Sequence, residues 1–178
     1  MSVALKNLPH YTYDDYCQWE GRWELIDGIP YSMSPLPGFH HQDLNLKICT
    51  QLTELLTNCG ECKVYMPIDW KVSEDTVVQP DVSVICGIPK NDQYLDFAPS
   101  IVFEILSPST SQKDKTVKFE IYRREGVKYY IIVDRDKNIA DVFELKNKKY
   151  NKIVQAKNQT IPFKIKKCLV NFNFEKIW

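Results

Sequence analysis

The chain has 178 residues with 44% hydrophobic content, which suits one ordinary domain spanning residues 1–178 with a sizeable core. No window approaches the ~20 apolar residues of a membrane span, and the first six residues carry no apolar leader region, so a membrane role is excluded and a cytoplasmic protein expected. The net charge of zero conceals a division: residues 1–112 hold 6 Lys/Arg against 15 Asp/Glu, a net −9, and residues 113–178 hold 17 against 8, a net +9. The basic C-terminal third is suited to following a phosphate backbone and the acidic part to holding cations. The alternative is that Lys146, Lys148, Lys149, Lys152, Lys157, Lys164, Lys166 and Lys167 solvate edge strands and discourage aggregation.

In chain order, Thr12 to Asp15 reads as a capping-box start to a short helix that runs to about Glu20 and ends at Gly21. Arg22–Ile26 and Ile29–Met33 are predicted strands around Asp27-Gly28, a type I′ hairpin signal, with Glu24 just ahead of the turn. After Pro35-Leu36-Pro37-Gly38 a helix is predicted from about Phe39 to Asn58, buried along Leu44, Ile48, Leu52 and Leu55. His41 lies on the same side, as a satisfied histidine of the first turn or as a ligand or positioning group. Cys62–Val72 and Val77–Ile85 are predicted strands, followed by a long connection from Gly87 to Pro99. Cys59-Gly60-Glu61-Cys62 has no second pair to complete a zinc site, and Cys59 follows a helix C-terminus, where the dipole disfavours thiolate. Six cysteines are too sparse for a disulfide scaffold, so structural thiols are expected.

The strand Ile101–Leu106 is apolar on both faces except at Glu104. An ionised carboxylate there is costly unless paired, hydrogen-bonded or bound to a metal. Asp81, on the preceding strand, makes a second such group. A polar loop from Ser107 leads to a helix capped through Ser111, with Asp114 in the capping-box position and Gly126 as the C′ residue. Val127–Val133 reads as an internal strand, with Tyr129 and Tyr130 in the core, as is Tyr122 of the helix. Strands near 139–145 and 150–155 follow, and residues 157–178 are less legible. The order from residue 39 is αβββαβ: an α/β (α+β) arrangement on a mixed sheet, in which short connections make the three strands antiparallel neighbours and the helix crosses over to a parallel partner.

These residues carry a resemblance. Gln79-Pro80-Asp81, then Val102 to Thr110, then Asp114, Lys118, Tyr122, Gly126, Val127, Tyr130 and Asp134 at their spacing, resemble the Uma-type restriction endonuclease family of the PD-(D/E)XK nuclease superfamily. Glu24 to Gly28 and the His41 helix extend the match over roughly residues 12 to 145. The resemblance implies a restriction-endonuclease-like sheet and an endonuclease that hydrolyses DNA phosphodiester bonds with Mg²⁺ or Mn²⁺. Asp81, Glu104 and the backbone carbonyl of Ile105 would hold the metal. Glu24 is then a third carboxylate or an orienting group, or else an exposed strand residue. The superfamily's usual lysine, two residues after the glutamate, is here Leu106; the pattern implies Lys118 in its stead, against the alternative of a helix-surface pair with Asp114. Duplex DNA is the implied partner, and a homodimer suits the cutting of two strands. The missing strand lysine leaves a second reading open, a non-catalytic nucleic-acid-binding or scaffold protein that keeps the fold.

Overall fold

The computed structural model describes residues 9–33, 35–107 and 111–178. The chain opens with a one-turn helix, α1 (Tyr13–Tyr16), shorter than predicted, in which the Asp15 carboxylate accepts from the Thr12 amide at 2.8 Å and the Thr12 hydroxyl at 2.9 Å. Strands β1 (Trp23–Ile26) and β2 (Ile29–Ser32) follow as an antiparallel hairpin. Asp27 and Gly28 both take positive φ, 50° and 74°, as a type I′ turn requires. Helix α2 (Phe39–Leu55) buries His41, Leu44, Ile48 and Leu52 as its spacing predicts, but Leu55 is only half-buried and Leu56 takes the last core position.

Two predicted strands are each cut in two at a proline. Cys62–Val72 is β3 (Cys62–Tyr65) and β4 (Trp70–Ser73), interrupted around Pro67; Val77–Ile85 is β5 (Thr76–Val78) and β6 (Val82–Cys86), interrupted at Pro80. Proline has no N–H to give a ladder, so pairing stops and the chain changes sheet. Strand β7 (Ile101–Ile105) follows. The predicted polar segment 108–110 lies outside the described residues. The helix expected as one piece is two, α3 (Ser111–Lys115) and α4 (Val117–Glu125), broken at Thr116 with φ −124° and ψ −77°. Ser111 is the first residue of α3 rather than its cap. Gly126 closes α4 in the left-handed region at φ 89°, and its N–H donates to the Tyr122 carbonyl.

After α4 come β8 (Tyr129–Asp134), β9 (Ile139–Lys146), β10 (Lys149–Ala156), β11 (Thr160–Ile165), β12 (Cys168–Asn173) and a 3₁₀ turn (Phe174–Ile177). The central sheet has the order β10-β9-β8-β7-β6-β3, and β2-β1-β5-β4 form a second sheet. Strands β3, β6 and β7 are antiparallel neighbours, and β7 pairs with β8 in parallel across the α3–α4 crossover. The chain is thus an α+β protein on a mixed sheet with helices against it, in the predicted order.

Alternation along the strands divides the core into two layers. Ile101, Phe103, Ile105, Tyr129, Ile131 and Val133 face α2 and the β11–β12 hairpin, with Phe163, Phe172 and Phe174 filling that side. Val102, Tyr130 and Ile132 face the other way, toward Ile121 and Tyr122 of α4 and Trp70 and Val78 of the second sheet. Glu104 belongs to this second face by parity. The cysteines depart from expectation. Cys62 lies opposite Cys86 in the β3–β6 ladder and is bonded to it, and Cys59 at the end of α2 is bonded to Cys168 of β12. The partners are 24 and 109 residues away in sequence, so no spacing rule in the CxxC could reveal them. Cys17 and Cys49 are free.

Candidate active site

The register Val82↔Phe103 of β6 and β7, carried one residue further, sets Asp81 across from Glu104. Pro80 ends the preceding strand and releases Asp81 from β5, and the Asp81 side chain stays partly accessible, 15% exposed. Its Oδ2 accepts the Ile105 amide at 2.8 Å and lies 3.2 Å from His41 Nε2. An ionised carboxylate can only accept, so the His41 proton belongs on Nε2; Nδ1 has no partner among the described residues. His41, buried in the first turn of α2, is therefore a positioning group for Asp81. The amide contact also brings the Ile105 backbone beside that carboxylate. Asn45, one turn further along α2, donates to the Asp81 carbonyl at 3.3 Å.

Behind this pair lies a buried charge network. Glu24 is 0% exposed, so the exposed-strand alternative does not hold; β1 pairs with β5 at Leu25↔Val77, which turns Glu24 inward beside Ile26. Its Oε1 accepts the Gln79 amide at 2.8 Å and the Lys118 ammonium at 2.9 Å, and its Oε2 accepts Lys113. Lys118 also lies 2.6 Å from Glu104 Oε1 and 3.7 Å from Asp114 Oδ1, and its side chain is 2% exposed. The lysine is enclosed by three carboxylates, not displayed on a helix surface. Glu104 Oε1 accepts in addition the Tyr122 hydroxyl at 2.6 Å, and Trp70 stacks on that ring at 5.6 Å between centroids.

The charges do not balance. Burial would raise the Glu24 carboxyl, but Lys118 and Lys113 outweigh it and hold Glu24 below its ordinary range. Burial would strip the proton from Lys118, yet Glu104, Glu24 and Asp114 outweigh it and keep the ammonium charged. Glu104 is pushed well above the ordinary carboxylate range, first by burial, with Asp114, Asp81 and Glu24 adding to it against Lys118. It is the carboxylate of the cluster that its surroundings favour least in the charged form, even with Lys118 beside it.

Asp81, Glu104, Asp114, Lys113, Lys118 and His41 line one cavity of about 550 Å³, with Arg22 and Arg135 also on its wall. Among the described residues no three His, Cys, Asp or Glu side chains form a ready metal cage. The donor set nevertheless fits a hard divalent cation. The bonds to Asp81 fall on Oδ2 and those to Glu104 on Oε1, the opposite oxygens are oriented by these contacts, and added positive charge would offset the excess on Glu104. Mg²⁺ characteristically takes one or two carboxylates and keeps several waters.

The sequence reading pointed to Asp81, Glu104, Lys118, Glu24, His41 and Ile105, and the fold gathers all six. It missed Lys113, and it offered Asp114 as a capping-box residue or as a helix-surface partner of Lys118, where the two meet in the buried cluster instead. It read Tyr122 as core, which it is, but not as a donor to Glu104. The spacing Asp114, Lys118, Tyr122 at four-residue intervals is the signal that would have joined the last two to the site.

Residues 12–165 match the model of the Uma2 family, described as "Putative restriction endonuclease". The uncharacterized protein slr1290 of Synechocystis sp. is 32% identical over 124 residues, 65% of this chain and 63% of that protein's length. A crystal structure from Anabaena variabilis, described as "a putative nuclease belonging to DUF820", has a TM-score of 0.76 over 93% of this chain and 96% of that one. At 16% identity that likeness is one of fold. With the family model covering most of the chain and the fold agreeing, the protein belongs to the Uma2 family of restriction-endonuclease-like proteins.

Proposed function

We propose that the protein is a metal-dependent endonuclease that hydrolyses phosphodiester bonds in DNA, with duplex DNA as substrate and Asp81 and Glu104 as the residues that hold Mg²⁺ or Mn²⁺. The observation that carries this reading is the pairing of Asp81 and Glu104 across adjacent strands at one cavity wall. When bound, a divalent ion supplies Lewis-acid stabilisation of charge on the scissile phosphate and a more acidic water.

The chain's own residues have separate tasks. His41 and the Ile105 amide fix the Asp81 carboxylate from one side, with the Ile105 carbonyl as a further oxygen donor. Tyr122 and Lys118 fix Glu104 from the other. Lys118 supplies the ammonium that Leu106 cannot. Rising from a helix rather than two residues along the strand, it puts positive charge beside Glu104, where it stabilises negative charge that develops at the phosphate. Glu24 holds Lys118 and takes no part in the reaction directly.

Calorimetric titration of Mn²⁺ into the purified protein tests this. Wild type binds, and Asp81→Asn and Glu104→Gln, which keep shape and remove charge, bind at least tenfold more weakly while remaining folded. Equal Mn²⁺ affinity in all three proteins would instead favour a fold that has kept its shape without its chemistry.

A further inference from the structure

The cavity beside the carboxylates meets two lysines, and they are not equivalent. Lys118 is spent within the protein, with its ammonium among Glu24, Glu104 and Asp114 and its side chain 2% exposed. Lys113, from α3, reaches the same Glu24 with a side chain 13% exposed and lines the cavity with Asp81 and Glu104.

An ammonium group has three N–H donors. One from Lys113 goes to Glu24. Beyond it, among the described residues, lie the Met33 sulfur at 3.7 Å, a weak acceptor, and the Tyr31 ring, whose centroid is 5.2 Å away. Among the described residues no second oxygen accepts from Lys113. Glu24, for its part, already has Lys118 and the Gln79 amide on its other oxygen, so one buried carboxylate is shared by two ammonium groups. Lys118 divides its charge among Glu24, Glu104 and Asp114, and Lys113 gives its one carboxylate contact to Glu24. Donor capacity left over at a cavity wall, in a partly accessible cation next to carboxylates suited to a metal, matches an incoming oxyanion.

We infer that Lys113 is the lysine of this site that contacts substrate, donating to a non-bridging oxygen of the nucleic-acid phosphate, while Lys118 stays among the carboxylates and acts on the phosphate through its charge, without contact. This rests on the nuclease reading above. Glu24 is then a bracket that keeps the Lys113 tip near the cavity before substrate arrives. The phosphate completes the donor set of the ammonium.

Binding of a short DNA duplex in Ca²⁺, followed across a salt series, tests the assignment together with cleavage kinetics in Mn²⁺. For Lys113→Met the slope of log affinity against log salt becomes shallower by about 0.9, the value for one phosphate contact. KM rises about tenfold or more, the scale of one hydrogen bond to a charged group, with a smaller change in kcat. Lys113→Arg restores the slope. An unaltered slope and KM in Lys113→Met would overturn the assignment, as would a lowered unfolding temperature with the slope unchanged, which marks a purely structural lysine. A wild-type protein that neither binds nor cuts DNA defeats the nuclease reading itself, and the assignment with it.

Discussion

Glu24 and Glu104 are both buried carboxylates beside Lys118, yet they should respond to the same substitution in opposite ways. Both oxygens of Glu24 receive donors, so Glu24→Gln turns an amide NH₂ toward a donor and leaves buried ammonium charge unpaired, a loss of about 3–5 kcal/mol. The bonds to Glu104 fall on Oε1, which a glutamine oxygen reproduces, and the charge removed is one that burial and the carboxylates around it disfavour. Glu104→Gln should therefore be as stable as metal-free wild type or more so in urea unfolding. The pH dependence follows with its sign. Glu24 is held below its ordinary value of 4.5, so its contribution is present above that pH and lost as pH falls through the lowered value. Glu104 is raised above 4.5; the folded state binds its proton more tightly, and stability declines as pH climbs from 4.5 until Glu104 itself ionises. That decline should vanish in Glu104→Gln. Glu104 was legible because a lone carboxylate in an apolar strand has few explanations. The burial of Glu24 was not, since it depends on β1 meeting β5 and on two lysines nearly ninety residues or more downstream.

The secondary-structure elements show where local sequence decides and where it does not. The Asp27-Gly28 turn, the α2 stripe and the Gly126 cap were all readable because each is fixed by backbone conformation or period within a few residues. Gly28→Ala should cost about 1–2 kcal/mol, since an L side chain is strained at φ +74°, and a Cβ there would also meet the His10 ring at 2.3 Å unless it swings aside. Gly60→Ala, where nothing lies within 4 Å, should change the urea midpoint little. The strand breaks at Pro67 and Pro80 were visible as prolines, yet both strands were predicted to run straight through them, since apolar residues continue on both sides. What decides is that the flanking segments belong to different sheets, a tertiary fact. The break at Pro80 also matters for the site, as it frees Asp81 to stand at the head of β6. The C-terminal hairpin was obscure because its core residues, Phe163, Ile165, Val170 and Phe172, are interleaved with lysines and asparagines whose role appears only when the hairpin lies on the sheet.

At the scale of the whole molecule, two long-range cross-links replace the free thiols expected from the cysteine count. Thiol titration of the unfolded, unreduced protein should find two groups, Cys17 and Cys49, and reduction should lower stability by about 2–4 kcal/mol for each bond lost. Six titratable thiols would contradict the pairing. Lys146, Lys148, Lys149, Lys152 and Lys157 are exposed on β10, an edge strand, and the segments flanking it, and Lys164, Lys166 and Lys167 are exposed on the β11–β12 hairpin. Both the phosphate-binding and the edge-solvating roles are compatible with that position, and the salt dependence of DNA affinity separates them. At about −0.9 per phosphate neutralised, a total slope steeper than the cavity's own few cations can produce is expected if the edge lysines engage the duplex.

The central claim, that Asp81 and Glu104 make this chain a metal-dependent nuclease, is tested most directly by incubating supercoiled plasmid with wild type and Glu104→Gln purified in parallel, in Mn²⁺ and in chelator. Wild type should nick the plasmid in Mn²⁺ alone, and the variant, still folded, should be slower by roughly 10²-fold or more, the scale of one lost electrostatic contact to the reacting group. Cleavage that survives in chelator, or that is equal in the two proteins, would contradict it.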